Sequence, residues 1–411
     1  MEIKILKRNK SNSGGVFTEI KTEQARILID YGTDLDDVTR LPKIEGLNTG
    51  KPIYDAVFCT HYHQDHIGRI NEVLPEIPVY MSDTCRKITE TVFCFSKQRG
   101  NFTKETINIE DRKPIIIKDI KITPYIVDHS AYGAFMFLIE AEGKKILHTG
   151  DFRDHGYKGV LLEKSLKEIG KVDVLLTEGT TLSRPQMKSI SEEELATEIA
   201  DNTKKYDQVL VLMSTTNIDR VTTLQKVANR TGKIFIHDLL LEMVLQCVTQ
   251  KIPNALNSNK IGVYMPSYLY IQKNKPEYQE LIKPYEERIE QTGKLLHGKF
   301  IMNCRVSMIK DIEKLKIKNG VLDNACLVYS MWNGYKTQDE QTIKFLDKIK
   351  ELGIPIIDGH TSGHADYIAM QKLLEMTQAD KVIPMHTENK KGILEYTDKA
   401  IILEDMQSIK I

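Results

Sequence analysis

His61, His63, Asp65 and His66 lie within six residues of one another, in the run Thr60-His61-Tyr62-His63-Gln64-Asp65-His66. Imidazole nitrogen and carboxylate oxygen together suit zinc or a similar divalent ion. His61 and His63 point the same way if the backbone between them is extended or tightly looped. The same turn aims Asp65 and His66 at a second point nearby. One short segment can therefore give two ligands to each of two metals, the rest arriving from far along the chain. A polar loop that is His-rich by chance is the plain alternative, and the spacing disfavours it.

The elements that must position these groups are apolar runs with chemistry at their ends, where rigid strands give way to loops. The run 55–60 delivers the cluster. The strand-like 120–127 leads into Asp128-His129-Ser130, and 145–148 ends in Thr149-Gly150-Asp151-Phe152. The buried-type run 172–177 ends in Glu178, and 381–383 leads through Pro384 and Met385 to His386. Ser362-Gly363-His364-Ala365 lies just before a helix-like stretch. Asp30 ends another run, 26–30. It reads equally as a turn residue or as a buried carboxylate bracing a ligating ring.

Further strands are expected at 16–20 and 79–82, with helices from His66 to near Pro75 and from 83 through about Lys97. Glu142-Gly143 marks a hairpin, and Ser191 to Glu194 has the form of a capping box. From about 208 strand and helix alternate: 209–213, 218–229, 233–237 and 239–248. That is the pattern of a parallel α/β sheet. Tyr264, Tyr268, Tyr270, Tyr278 and Tyr285 either stack on bases or pack on the surface, and packing is favoured. The tail reads as a helix from Asn389 and a strand over 400–403.

The chain has 411 residues, which favours two domains. Lys+Arg and Asp+Glu each number 57, so the formal net charge is zero. The balance argues against nucleic-acid binding by bulk charge and leaves a local basic groove open. Six scattered cysteines form no CxxC pair, which fits a reducing, cytoplasmic setting. No signal-peptide core and no apolar run long enough for a bilayer is present, so no membrane partner is expected.

His61-x-His63-x-Asp65-His66, followed by His129 and Asp151, resembles the metallo-β-lactamase superfamily. Glu178, His364 in Ser-Gly-His-Ala and His386 in Pro-Met-His resemble the extra motifs of its β-CASP branch, which includes ribonuclease J and the endonuclease of pre-mRNA cleavage and polyadenylation. The resemblance covers nearly the whole chain. It implies an α/β architecture: a four-layer αββα metallo-β-lactamase core over 1–181, an α/β β-CASP insertion over 182–352, and a return to the core over 353–411.

It also implies a ligand set. His61, His63 and His129 would hold one zinc, Asp65, His66 and His386 the other, and Asp151 would bridge them. Manganese is the alternative metal. Asp65, Glu178 and His364 are thereby placed in the chemistry. His364 would contact the scissile phosphate and protonate the leaving oxygen, with Glu178 raising its pKa; Glu178 reads equally as a structural acceptor for a backbone amide. Ser214, Asn217 and Arg220, at a helix start resembling that of ribonuclease J, are expected to contact phosphate, although Arg220 alone reads equally as a surface ion pair. His364 is preferred to His360 because it occupies the Ser-Gly-His position. His148 and His155, which flank Asp151, read as structural.

The expected activity is a zinc-dependent phosphodiesterase acting on RNA, as a monomer or homodimer. The rivals are a hydrolase of DNA or of a small ester, and a non-catalytic nucleic-acid-binding scaffold. Two departures from ribonuclease J bear on this. The chain stops soon after His386, and Met331-Trp332-Asn333-Gly334-Tyr335 replaces a glycine-rich segment.

Overall fold

The computed structural model describes residues 1–6, 15–33, 43–95, 101–184, 186–248, 252–270, 276–318 and 320–411. The chain forms two compact units, Met1–Ser189 with Gly363–Ile411, and Ile190–Ser362.

The first unit contains a seven-stranded and a six-stranded sheet. In the seven-stranded sheet the order is Ser408–Lys410, Glu2–Ile5, Thr18–Lys21, Arg26–Ile29, Ala56–Phe58, Val79–Met81, Thr106–Asn108. The first four are antiparallel neighbours and the remainder run parallel. The six-stranded sheet runs Lys381–Met385, Val174–Glu178, Lys144–His148, Ala134–Ala141, Ile120–Val127, Ile115–Ile117. Its first three strands are mutually parallel, so their C-terminal ends share one edge. That edge carries the loops to Asp151, Glu178 and His386.

Side-chain alternation explains the layering. Ile27, Ile29 and Phe58 from one sheet share a buried core with Phe137, Ile146, Leu176 and Met385 from the other. The opposite face of the six-stranded sheet, with Leu138, Leu147 and Leu175, packs with Leu162 and Leu166 of helix Val160–Ile169. Ala369 and Leu373 of helix Tyr367–Thr377 join the same cluster. Leu28 and Val57, of opposite parity to Ile27 and Phe58, are equally buried. The seven-stranded sheet is therefore covered on both faces, as the αββα layering requires. Each fully buried Phe or Leu contributes about 1.5–3 kcal/mol.

Three local expectations differ from the structure, and a fourth runs beyond the described residues. His66 does not open a helix: it sits inside a single turn, Gln64–Ile67, followed by a 3-10 turn at Ile70–Glu72. The helix after Ser82 is Asp83–Phe95, and Lys97 lies outside the described residues. The stretch after Asn389 is a 3-10 helix, Lys390–Glu395. Residues 400–403 make one isolated bridge, Val382 to Ala400, and the closing strand is Ser408–Lys410. The Glu142-Gly143 hairpin is as expected. Both residues have positive φ, +50° and +72°, matching the sense of a primed turn.

The second unit is a six-stranded, all-parallel sheet in the order Ile261–Tyr264, Ile234–Asp238, Phe300–Cys304, Gln208–Leu212, Ala325–Tyr329, Ile356–Asp358. Strand Ile356–Asp358, assigned from sequence to the return segment, pairs with Ala325–Tyr329, which is why this unit extends to Ser362. The Ser191–Glu194 capping box forms and starts helix Glu192–Thr203. Tyr278 and Tyr285 are buried, Tyr264 donates to Asp311 and the Tyr268 hydroxyl accepts from Arg305. Of the five tyrosines only Tyr270 is exposed.

Candidate metal centre

The first ligand loop leaves strand Ala56–Phe58 and is fastened on both sides. The Cys59 amide donates to the Tyr80 carbonyl, and the Phe135 amide to that of Thr60. Below the loop lies Asp30, fully buried and with φ +60°. Its carboxylate accepts from the Thr60 amide at 2.7 Å, the Thr60 hydroxyl at 2.8 Å and His66 Nδ1 at 2.8 Å. Asp30 is thus the bracing carboxylate of the two readings. With Nδ1 donating to Asp30, His66 aims its Nε2 towards Asp151, 3.2 Å away. Having donated to Asp30, the Thr60 hydroxyl accepts from His61 Nδ1 at 3.0 Å and fixes that ring likewise.

The remaining rings are held by groups that sequence reasoning missed. His129 Nδ1 donates to the Gly363 carbonyl at 2.6 Å, leaving Nε2 3.2 Å from His63 Nδ1. The Thr180 hydroxyl lies 2.9 Å from His386 Nδ1, and His386 Nε2 is 3.0 Å from Asp65 Oδ2. His386 has φ +47°. Thr180, two residues past Glu178, carried no pattern of its own. Gly363 acts through its carbonyl, which no side-chain motif reports.

All seven expected ligands converge. His61, His63, His129 and Asp151 offer atoms within 4.8 Å of one another, and so do Asp65, His66 and His386. Asp151 lies between the groups: Oδ2 is 3.8 Å from His61 Nε2, 3.9 Å from His129 Nε2 and 3.2 Å from His66 Nε2. Its Oδ1 is 3.5 Å from His386 Nδ1. His61 Nε2, His66 Nε2 and both Asp151 oxygens are buried without hydrogen-bond partners. Orphaned polar atoms in a dry site cost about 1–3 kcal/mol each, so four facing one another fit metal ions as their partners.

Protonation agrees with that fit. Burial, with neighbouring imidazoles, holds His61 and His129 well below the ordinary histidine value. Burial brings His63 down to about 4. Burial alone would raise Asp65 and Asp151, but His66 and His386 hold both carboxyls well below their usual range. Neutral imidazole and ionised carboxylate are the forms a metal requires. His66 is the exception. Burial lowers it, yet Asp151, Asp30 and Asp65 together raise it well above the ordinary value, so metal has to displace that proton.

Beside the ligands lies the expected pair of His364 and Glu178. His364 Nδ1 is 3.0 Å from Glu178 Oε2 and 3.6 Å from Asp151 Oδ2. Glu178 is fully buried, and its other oxygen accepts from the Phe152 amide at 2.8 Å. Burial pulls His364 down, but Glu178, by charge and hydrogen bond, with Asp151 and Asp65, holds it at about 9. His360 belongs to the second unit and to none of these ligand groups. His148 and His155 are buried, and His148 Nδ1 accepts from the Gly150 amide at 3.1 Å.

Two of the expected phosphate contacts have other occupations. Arg220 is fully buried. Its guanidinium bonds both Glu192 oxygens, at 3.1 and 3.2 Å, the Ser330 hydroxyl, and the Ser330 and Thr361 carbonyls at 3.3 Å each. With its donors spent inside the second unit, it is an internal ion pair rather than a phosphate contact. The Asn217 side chain caps helix Ile218–Thr231 by accepting from the Arg220 amide. Ser214 is exposed, with its hydroxyl 3.1 Å from that of Thr216.

Sequence reasoning also missed a buried pair flanking two ligands. Asp128 precedes His129, and Arg153 follows Asp151 by two residues. The Arg153 amide donates to the Asp128 carbonyl at 2.7 Å, and Arg153 Nε lies 3.5 Å from Asp128 Oδ2. The Gly156 amide donates to that same oxygen at 2.8 Å.

Comparison with known proteins agrees with the geometry. The model of the beta-lactamase superfamily domain matches residues 25–238. An RNase J-like protein of Methanocaldococcus jannaschii is 24% identical over 403 residues, covering 91% of this chain and 90% of its own. Ribonuclease J of Mycoplasma genitalium is 23% identical over 391 residues, covering 90% of this chain but only 65% of its own. A solved protein of unknown function from Enterococcus faecalis V583 shares the fold, with a TM-score of 0.75, 18% identity and 99% coverage of both chains. No helix among the described residues is long and apolar enough to cross a membrane. The chain belongs to the beta-lactamase superfamily, in its metallo-β-lactamase β-CASP branch.

Proposed function

We propose that the protein is a metal-dependent ribonuclease. The observation that carries this reading is the His364–Glu178 pair set beside Asp151, next to two groups of ligand atoms. His61, His63 and His129 would hold one ion, Asp65, His66 and His386 the other, and Asp151 would reach both. When bound, such ions neutralise phosphate oxygens and make a water acidic enough to attack at neutral pH. The histidine-rich donor set favours zinc, with manganese as the alternative.

His364 supplies the proton. Burial pulls its pKa down, but Glu178, by charge and hydrogen bond, pushes it up, the direction an acid at neutral pH needs. With Nδ1 donating to Glu178, Nε2–H is the atom that gives a proton to the leaving 3′-oxygen. Glu178 touches the imidazole and not the phosphate, so it orients and charges the acid. Ser214, exposed ahead of helix Ile218–Thr231, remains the candidate phosphate contact of the second unit. RNA is favoured over DNA by the names of the relatives. A cytoplasmic setting and a monomer or homodimer complete the reading.

The test is product mapping with the zinc-loaded full chain on a 5′-monophosphate RNA and on the same RNA with a blocked 5′ end. Single-stranded DNA and a bis-phosphodiester dye serve as competitors. Mononucleotides from the first RNA alone indicate 5′-exonuclease action, and internal fragments from both indicate an endonuclease. Cleavage of DNA or dye with both RNAs intact refutes the reading.

A further inference from the structure

Strands Val174–Glu178 and Lys381–Met385 run parallel with Glu178 opposite Met385, so the chain leaves both at the same level. Thr180 lies two residues past the first strand and His386 one past the second. The two loops are packed together. A Cβ on Gly179 would lie 3.0 Å from Thr387 Cβ, and the Asn389 side chain donates to the Leu182 carbonyl at 3.0 Å. All of these residues belong to the first unit, as do Asp65, His66 and Asp151.

The Thr180 hydroxyl meets His386 at two atoms, 2.9 Å from Nδ1 and 3.4 Å from the carbonyl oxygen. A hydroxyl has one proton to give and lone pairs with which to accept. The carbonyl can only accept, so the Thr180 proton goes there. The Thr180 oxygen is then left to accept from Nδ1–H. A hydroxyl that donated to a bare Nδ1 instead would set two acceptor oxygens against each other.

The choice matters because both ring nitrogens of His386 face a carboxylate ligand. Nε2 is 3.0 Å from Asp65 Oδ2, and Nδ1 is 3.5 Å from Asp151 Oδ1. His386 accordingly belongs to two groups of convergent donor atoms, one with Asp65 and His66 and one with Asp151, Glu178 and His364. A neutral imidazole binds metal through the nitrogen that carries no proton, and its other nitrogen's hydrogen bond decides which one that is.

We propose that Thr180 is a positioning residue that selects the metal-binding nitrogen of His386. Its hydroxyl keeps the proton on Nδ1 and commits Nε2 to the site with Asp65 and His66. His386 is thereby kept from joining Glu178 and His364, which leaves that pair to proton transfer. This deepens the nuclease reading and rests on its assignment of His386 as a ligand. Altering the outer partner of a metal ligand commonly changes metal affinity by about 10- to 100-fold. Thr180 is a neutral acceptor, so the lower end of that range is expected.

Three full-chain variants test this. T180V keeps the β-branched shape and removes the hydroxyl. T180S keeps the hydroxyl. T181V breaks the bond from the Thr181 hydroxyl to the Ala365 carbonyl, in the same turn but on no ligand. Zinc affinity is read by competition with a chromophoric chelator, and the melting temperature of the metal-free protein is measured in parallel. T180V is expected to bind one of two zinc ions roughly tenfold more weakly, with T180S and T181V near the wild type. Long-range proton–nitrogen NMR correlations of the zinc-loaded wild type, labelled at histidine, should show His386 protonated at Nδ1 and bound through Nε2. Unchanged affinity in T180V overturns the proposal, and so does an equal loss in T180S or T181V. A wild-type spectrum with His386 bound through Nδ1 overturns it without any variant, even if T180V fails to fold. Zinc competition needs no substrate, so a wild-type protein that binds zinc and leaves RNA intact refutes the nuclease reading without deciding this one.

Discussion

Asp30→Asn is the sharpest test of how the centre is built. Asp30 presents two carboxylate oxygens to three donors: the Thr60 amide, the Thr60 hydroxyl and His66 Nδ1. Asparagine tolerates the left-handed backbone at φ +60° as aspartate does, so the exchange adds no backbone strain. It leaves one oxygen and one NH2. If the oxygen keeps the Thr60 amide, the NH2 faces His66 Nδ1. Two donors cannot share that contact, so His66 gives up its Nδ1 proton and carries one on Nε2, the atom meant for metal. Loss of a buried charged acceptor lowers stability by about 1–3 kcal/mol. Metal affinity at the Asp65–His66–His386 site should fall about 10- to 100-fold, equivalent to roughly 1.4–2.8 kcal/mol. Chelator competition on D30N measures the second figure and denaturant titration of the metal-free protein the first. If D30N binds two zinc ions with wild-type affinity, Asp30 does not set the His66 tautomer and the bracing argument is wrong.

Other outcomes separate ligands from the acid. H364A should keep both metals and lose about 10²- to 10⁴-fold in rate, whereas H386A should lose one metal along with activity; metal content beside single-turnover rates distinguishes them. His148 gives a pH signature: burial, the larger influence, brings its folded value to about 4. A depressed histidine binds fewer protons folded than unfolded, so its contribution is complete above about pH 6.5 and is lost as pH falls towards 4. Over that window wild type should lose roughly 3 kcal/mol more than H148Q, and equal losses in metal-free denaturant titrations would refute the assignment. A Cβ at Gly156 would sit 2.5 Å from Arg153 Nη2 and Asp128 Oδ2. G156A should therefore weaken zinc binding by parting the strands that carry His129 and Asp151, and unchanged affinity would make the pair irrelevant to the centre.

The ligands were legible because each is a metal-binding side chain directly past an apolar run, and the parallel strands bring those ends to one edge. Their supports were not. Gly363 contributes a carbonyl and Thr180 a hydroxyl, and both meet their histidines across about 200 residues of chain, a juxtaposition that only the fold creates. Of the two readings of Arg220, phosphate contact or surface ion pair, the structure gives an ion pair, but a buried one, which the sequence could not show for a related reason. An arginine in the first turn of a helix looks like an anion contact, and its partner Glu192 belongs to another helix. The closing strand escaped because Ser408–Lys410 is short and polar at its ends, while the more apolar 400–403 makes only one bridge.

The left-handed backbones at Asp30 and His386 also bear on how this site can drift over generations. Among side chains able to bind or brace a metal, Asp, Asn and His enter that conformation readily, while longer or branched ones do so at a cost. Neutral exchange at position 386 is thereby channelled towards Asp and away from Glu, although both are carboxylates. At position 30 the same filter passes Asn, which the backbone accepts and the tautomer of His66 does not. Selection on the chain's shape and selection on its chemistry therefore diverge at both positions: shape admits at position 30 an Asn that chemistry rejects, and rejects at position 386 a Glu that chemistry would accept.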